Sequence, residues 1–87
     1  MINKRIMEQP RDAFYWVERI LNENEDYYLN KEEIYARMPK GEEDVPLITI
    51  ASLENALRNL ARVRIIKIEY FQGRRYFAYN NNREEWR

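Results

Sequence analysis

Cysteine and histidine are both absent from this 87-residue sequence. Their absence excludes disulfide bonds, thiolate nucleophiles, zinc sites built from Cys and His, and every mechanism that needs a histidine base. No glycine-rich phosphate loop and no metal-binding motif accompanies the acidic residues that remain. We therefore expect a protein that is not an enzyme and that uses no metal and no cofactor.

Long apolar segments are also missing. No apolar run comes near the roughly 20 residues that cross a bilayer, and the first residues lack the apolar stretch of a signal peptide. The absence of cysteine is typical of reducing compartments, so we expect a cytoplasmic protein without a membrane partner. Hydrophobic residues make up 45% of the chain, which is enough for one core and predicts a single domain over residues 1–87.

The chain also has no net charge, because its 15 basic residues balance its 15 acidic ones. The charges are unevenly placed, however. Residues 1–44 contain 7 basic and 11 acidic residues, whereas residues 45–87 contain 8 basic and 4 acidic ones. The first part thus has a net charge of −4 and the second +4. Such asymmetry indicates a nucleic-acid surface on the basic part, although charges also segregate to this extent by chance.

Apolar residues at helical spacing predict three helices. The first covers residues 11–23 and follows Pro10, which is common in a first helical turn; residues 1–9 form an N-terminal arm. The second begins at Asn30, whose side chain and that of Glu33 suit a capping box, and it extends to about residue 38.

The third helix is predicted from an N-cap at Thr49 to about Arg62, with an apolar face toward the core and a polar face that carries no acidic residue.

The chain changes character after the third helix. Residues 65–71 and 76–79 are rich in β-branched and aromatic residues, and they are joined by the segment Gln72-Gly73-Arg74-Arg75. This pattern predicts a β-hairpin with two arginines at its tip. Residues 27–29 are a candidate for a short third strand, and residues 80–87 form a C-terminal tail.

The sequence thus predicts an α+β fold with three helices and a C-terminal two-stranded hairpin. At residue level, residues 29–35 (LNKEEIY), 48–53 (ITIASL) and 57–60 (LRNL) resemble the DNA-binding half of ferric-uptake-regulator-type repressors, and the hairpin with Gly73 resembles the wing. The wider class of small stand-alone winged-helix regulators, many of them from archaea and their viruses, resembles the chain more closely still, and its members usually act as homodimers.

The resemblance implies a winged helix-turn-helix that binds double-stranded DNA as a homodimer and regulates transcription. It does not imply metal sensing, because metal-sensing repressors of that type use His and Cys ligands that this chain lacks.

In a helix-turn-helix, the second helix of the motif enters the major groove, and here it covers residues 49–62. Arg can form two hydrogen bonds with guanine and Asn two with adenine, so Asn55, Arg58 and Asn59 suit base recognition. Hydroxyls at the helix start suit phosphates, and basic residues further along suit the backbone or an adjacent minor groove. The full predicted contact set is Thr49, Ser52, Asn55, Arg58, Asn59, Arg62, Arg64, Lys67, Arg74 and Arg75.

Other residues leave alternatives open. The hairpin aromatics either pair across the strands and cover the core or stack on unpaired bases. Tyr15, Trp16 and Trp86 either form a dimer contact or are buried within the monomer.

The acidic residues 42–44 should face away from DNA. The alternative interpretation is a winged-helix module that binds a protein partner through Trp16, Trp86 or this acidic segment. It is favoured over DNA binding if the acidic segment flanks the third helix.

Overall fold

A computed structural model of the protein describes residues 12–81. The described elements follow the order α1 (Ala13–Glu23), α2 (Lys31–Ala36), a short 3-10 turn (Glu42–Asp44), α3 (Ile50–Arg62), β1 (Ile66–Phe71) and β2 (Arg74–Tyr79). This architecture confirms the predicted α+β fold. The predicted arm (residues 1–9), Pro10 and residues 82–87 of the predicted tail lie outside the described residues.

Side-chain caps determine where the helices begin. The Asp12 carboxylate accepts a hydrogen bond from the Tyr15 N–H at 3.1 Å, so α1 starts at Ala13 and not at the predicted residue 11. The predicted capping box of α2 is confirmed, since Asn30 Oδ1 accepts from the Glu33 N–H at 2.8 Å and Glu33 Oε1 accepts from the Asn30 N–H at 3.0 Å.

The ends of α2 and α3 are set in the same way. Helix α2 ends at Ala36, earlier than predicted. Pro39 follows two residues after Arg37, and a proline cannot continue a helix. Helix α3 begins after Thr49, as predicted, where the Thr49 hydroxyl accepts from the Ser52 N–H at 3.1 Å.

The hairpin differs from its prediction at the tip. The strands pair antiparallel from Ile66 with Tyr79 to Phe71 with Arg74, so Arg74 and Arg75 are the first residues of β2 and not part of the turn. The turn itself contains only Gln72 (φ 51°) and Gly73 (φ 78°). Two consecutive positive φ values are typical of the tight turn whose twist matches that of paired strands.

The predicted third strand is reduced to one bridge. Leu29 N–H donates to the Phe77 carbonyl at 2.9 Å, and Phe77 N–H donates to the Leu29 carbonyl at 2.8 Å. This reciprocal pair ties the segment before α2 to β2. The hairpin is therefore fixed to the helical part of the fold by backbone hydrogen bonds as well as by side-chain packing.

The core lies between the three helices and one face of the hairpin. Helix α1 packs against α3 and β2, and α3 also contacts β1. The core includes four residues of α3, and the hairpin adds two more. Its members are Ala13, Val17, Ile20, Leu21, Leu29, Ile34, Met38, Leu53, Ala56, Leu57, Leu60, Ile66 and Phe77.

The exit from α3 depends on a buried side chain that the sequence pattern assigned to the tail. Arg64 has a left-handed backbone (φ 65°), a conformation that is costly for a residue with a side chain. Asn80 is 6% exposed, and its Nδ2 donates to the Arg64 carbonyl at 2.9 Å, while its N–H donates to the Ile65 carbonyl at 3.0 Å. Asn80 thus joins the end of the hairpin to the end of α3.

Replacing Asn80 by alanine is expected to lower the free energy of unfolding by about 1–3 kcal/mol, because the Arg64 carbonyl loses its donor beside a buried position. Urea denaturation measures this change. Asn81→Ala is the matched control, since Asn81 is adjacent but exposed. Equal losses for the two variants would contradict the role given to Asn80.

Candidate nucleic-acid interface

The polar face of α3 is exposed as the helical period predicts. Leu53, Ala56, Leu57 and Leu60 are buried, whereas the opposite side carries Asn55, Arg58 and Arg62 in contact with solvent. Asn59 is only half-exposed.

Three side chains predicted to recognise bases form one hydrogen-bonded group, which we call the amide cluster (Asn55, Arg58 and Asn59). Asn55 Oδ1 accepts from Arg58 Nη2 at 3.1 Å and from Asn59 Nδ2 at 3.0 Å, and Asn59 Nδ2 also donates to the Asn55 carbonyl at 2.8 Å. These bonds restrain side chains one turn apart on the same face. Restraint before binding lowers the entropic cost of ordering them against a base edge.

The start of α3 is differently organised. Thr49 and Ser52 are exposed, but the Thr49 hydroxyl caps the helix and also donates to Ser52 Oγ at 3.0 Å. A phosphate approaching this point meets hydroxyl groups that already bond to each other. The residues remain suited to a phosphate contact because the hydroxyl of Ser52 can rotate toward an outside acceptor.

The basic residues that follow α3 do not share one surface. Arg62 and Arg64 are exposed at the end of the helix. Lys67 alternates with Ile66 and Ile68, which face the core and α3, and its ammonium lies 5.5 Å from the centre of the Tyr28 ring. Lys67 therefore lies on the face of the hairpin that points away from α3. By the pairing register Arg74 shares that face, at the tip, whereas Arg75 lies on the face near α3.

A cleft between α3, the start of α2 and the hairpin brings together side chains from three elements. Lys31, Glu54, Arg58 and Arg75 line its mouth, and the space measures about 230 Å³. An adjoining space of about 520 Å³ is lined by Arg74 and Arg75 beside Asn30, Lys31, Glu32 and Phe77. Both hairpin arginines therefore lie close to the helices of the motif.

Glu54 is the acidic residue of this cleft. Its Oε1 accepts from Lys31 Nζ at 2.8 Å. The Lys31 hydrogen bond and charge, and then the charges of Arg75 and Arg58, lower the pKa of Glu54 below its usual value. Glu54 is therefore ionised throughout the neutral pH range.

The acidic segment Glu42–Asp44 lies in the connection between α2 and α3. Gly41 N–H donates to the Val45 carbonyl at 2.7 Å and Leu47 N–H donates to the Pro39 carbonyl at 3.0 Å, which closes this connection into a compact loop. All three acidic residues are exposed shortly before the start of α3. Their charge makes the side of α3 near the hairpin the more favourable one for a polyanion.

The residues predicted for a dimer contact are partly engaged within the monomer. Tyr15 and Trp16 are half-buried, and their rings meet edge to face with centroids 5.2 Å apart. Arg19 lies 5.4 Å from the Trp16 ring and donates to the Tyr15 hydroxyl at 3.2 Å. Trp16 also packs on the core. Trp86 lies outside the described residues.

The hairpin aromatics divide between two environments. Phe77 is in the core and Tyr79 packs against it. Tyr70 and Phe71 are 72% and 62% exposed and, together with Tyr28, Glu69 and Tyr76, line a groove of about 560 Å³. The Phe71 and Tyr76 rings meet edge to face at 6.4 Å, as expected for neighbouring strands.

Comparison with known proteins identifies the class of fold. No protein-family model matches the sequence, and no curated protein matches it either. A structure of the ferric uptake regulator from Francisella tularensis with iron superimposes with a TM-score of 0.68 at 12% identity. The fold is a winged helix-turn-helix. The match covers 84% of this chain and 54% of the regulator, so the chain spans about half the length of that protein.

The described residues contain neither a membrane-spanning helix nor a cluster of metal ligands. Among residues 12–81, no helix is both long and apolar enough to cross a membrane. Within the same residues, no group of three or more acidic, His or Cys side chains is placed to hold a metal ion.

Proposed function

We propose that this protein binds double-stranded DNA sequence-specifically through α3 and the hairpin wing, and that it regulates transcription as a homodimer. The observation that carries the proposal is the amide cluster on the exposed face of α3. It offers the side-chain types that form hydrogen bonds with adenine and guanine edges, already held together on the exposed face of α3.

Each part of the surface has a distinct role in this proposal. Asn55, Arg58 and Asn59 contact base edges in the major groove. Thr49, Ser52, Arg62 and Arg64 contact the backbone around α3, and Arg74 and Arg75 extend the contact along the wing. Lys67 contributes only to the electrostatic field, since its side chain lies against Tyr28 on the far side of the hairpin.

A dimer would bring two copies of α3 to successive turns of the major groove. Half-sites in an inverted repeat would then be separated by one helical turn, roughly 34 Å, or a multiple of it. The Tyr15 and Trp16 side chains of α1, together with Trp86, are the proposed contact between copies. The mass of the protein–duplex complex tests the stoichiometry directly.

Arg62→Ala is the first test of DNA binding. We expect it to lower affinity to a similar extent for all duplex sequences and to reduce the slope of log affinity against log salt by about 1, because one phosphate contact is lost. Fluorescence anisotropy at several salt concentrations measures both quantities. Arg37→Ala is the control, because Arg37 caps the C-terminal end of α2, whereas Lys31 lies at its N-terminal end, and Arg37 is not among the proposed DNA contacts. A sequence-dependent loss for Arg62→Ala would contradict the backbone role.

A protein-binding role is the second candidate, and the exposed acidic loop and the aromatic groove on the outer face of the hairpin favour it. This role predicts a protein partner whose capture survives Arg58→Ala and Arg62→Ala. It also predicts that binding is lost when Trp16 is replaced. The two candidates therefore give opposite responses to Arg58→Ala and Arg62→Ala.

A further inference from the structure

The cleft between α3, α2 and the wing contains more positive than negative charge. Lys31, Arg58 and Arg75 contribute three positive charges, and Glu54 contributes one negative charge. In the adjoining space, Arg74 and Glu32 offset each other. A net positive site of this size, open to solvent beside a helix proposed to enter DNA, is suited to an oxyanion.

We propose that this cleft binds one phosphate group of the nucleic-acid backbone and that Glu54 is an internal competitor for it. In the protein alone, the Glu54 carboxylate holds Lys31 and faces the two arginines. When DNA binds, a phosphate oxygen replaces the carboxylate as the partner of Lys31 and Arg75, while Arg58 adds its charge to the site and keeps its proposed contact with a base. The inference rests on the proposed DNA-binding function, and it adds Lys31 and Glu54 to the surface.

The geometry supports an exchange of this kind. The Lys31 and Glu54 side chains are 35% and 48% exposed, so a phosphate can reach Lys31 and the carboxylate can rotate into water. Exposed ion pairs contribute little to stability, so little free energy is lost when this pair opens. Arg58 stays oriented by Asn55 while its other nitrogen atoms remain available for bonding.

The floor of the cleft strengthens the effect. Leu57, Ile68 and Phe77 line it behind the charged groups. Apolar walls lower the local dielectric, so each cation interacts more strongly with an anion than it would on a flat surface. Glu54 competes through its charge, which offsets one of the three positive charges of the cleft.

Glu54→Gln is the variant that tests the inference. It removes the competing charge and keeps the size of the side chain. We expect affinity for duplexes of about 20 base pairs to rise roughly fivefold to tenfold at ~50 mM salt for any sequence, with a salt slope steeper by about 1. The control Glu25→Gln removes the same charge from the exposed loop after α1 and should change affinity less than about twofold.

Lys31→Ala gives the opposite expectation. Because Lys31 lies on α2 and not on α3, its loss should lower affinity for all sequences by about the amount expected for one phosphate contact. If Glu54→Gln binds no better than Glu25→Gln while the wild-type protein binds DNA, the phosphate site is overturned and the proposed function stands.

A second measurement keeps the two proposals separable. Inorganic phosphate is titrated into the wild-type protein and Glu54→Gln, and the guanidinium N–H resonances of Arg58 and Arg75 are followed by NMR. Saturable shifts that are larger in Glu54→Gln support the site even if no duplex binds, in which case only the proposed function fails. The absence of shifts in both proteins overturns the site.

Discussion

Replacing Phe77 by alanine is expected to lower the free energy of unfolding by about 3–5 kcal/mol. The Phe77 side chain is 3% exposed in the core, and its backbone forms the bridge to Leu29 that ties β2 to the helices. A domain of this size has a total stability of roughly 4–13 kcal/mol, so this single change removes much of it. Urea denaturation followed by circular dichroism measures the loss.

Phe71→Ala is the matched control for that prediction. Phe71 lies on the same hairpin but is 62% exposed, and its ring meets that of Tyr76 edge to face. Its replacement is expected to cost less than about 1 kcal/mol. Similar losses for the two phenylalanines would show that Phe77 does not anchor the wing to the core.

The second large effect concerns DNA recognition. Arg58→Ala is expected to weaken binding to the preferred duplex by about 1–3 kcal/mol and to relax the preference at one base pair. Arg58 is the cation of the amide cluster, and its guanidinium is oriented by Asn55. Loss of a bidentate contact to guanine affects the correct sequence more than incorrect ones, so the specificity ratio falls together with the affinity.

Selection from a random duplex library with the wild-type protein and with Arg58→Ala measures the base preference of each and so tests this prediction. The control is again Arg37→Ala, which removes the arginine that caps the end of α2 and should leave the selected sequence unchanged. A uniform loss of affinity with an unaltered selected sequence would assign Arg58 to the phosphate backbone and not to a base.

Much of the fold follows from local signals in the sequence. The capping residues Asn30 and Thr49 fix the starts of α2 and α3, because a cap bonds to N–H groups only two or three residues away. The polar face of α3 follows from the helical period alone. The sequence pattern places Arg74 and Arg75 in the turn because they are polar. They belong to β2 because strand pairing depends on backbone hydrogen bonds, which polar residues also make.

The parts that the sequence pattern missed depend on contacts between distant residues. Lys31 and Glu54 are 23 positions apart, and nothing in either segment indicates that they meet. Asn80 bonds the Arg64 carbonyl across 16 positions, so its place in a run of three asparagines suggested a tail. Composition groups Lys67 with the other basic residues, although strand alternation assigns it to the face opposite Ile66 and Ile68.

The central claim is that α3 and the wing form the DNA-binding face, and an NMR titration of the labelled protein with a selected duplex tests it most directly. The account predicts that backbone amide shifts concentrate at residues 49–64 and 74–75 and at Lys31, with small changes in α1. Shifts confined to α1 or to the outer aromatic groove of the hairpin, or no shifts at ~50 mM salt with the protein folded, would contradict it.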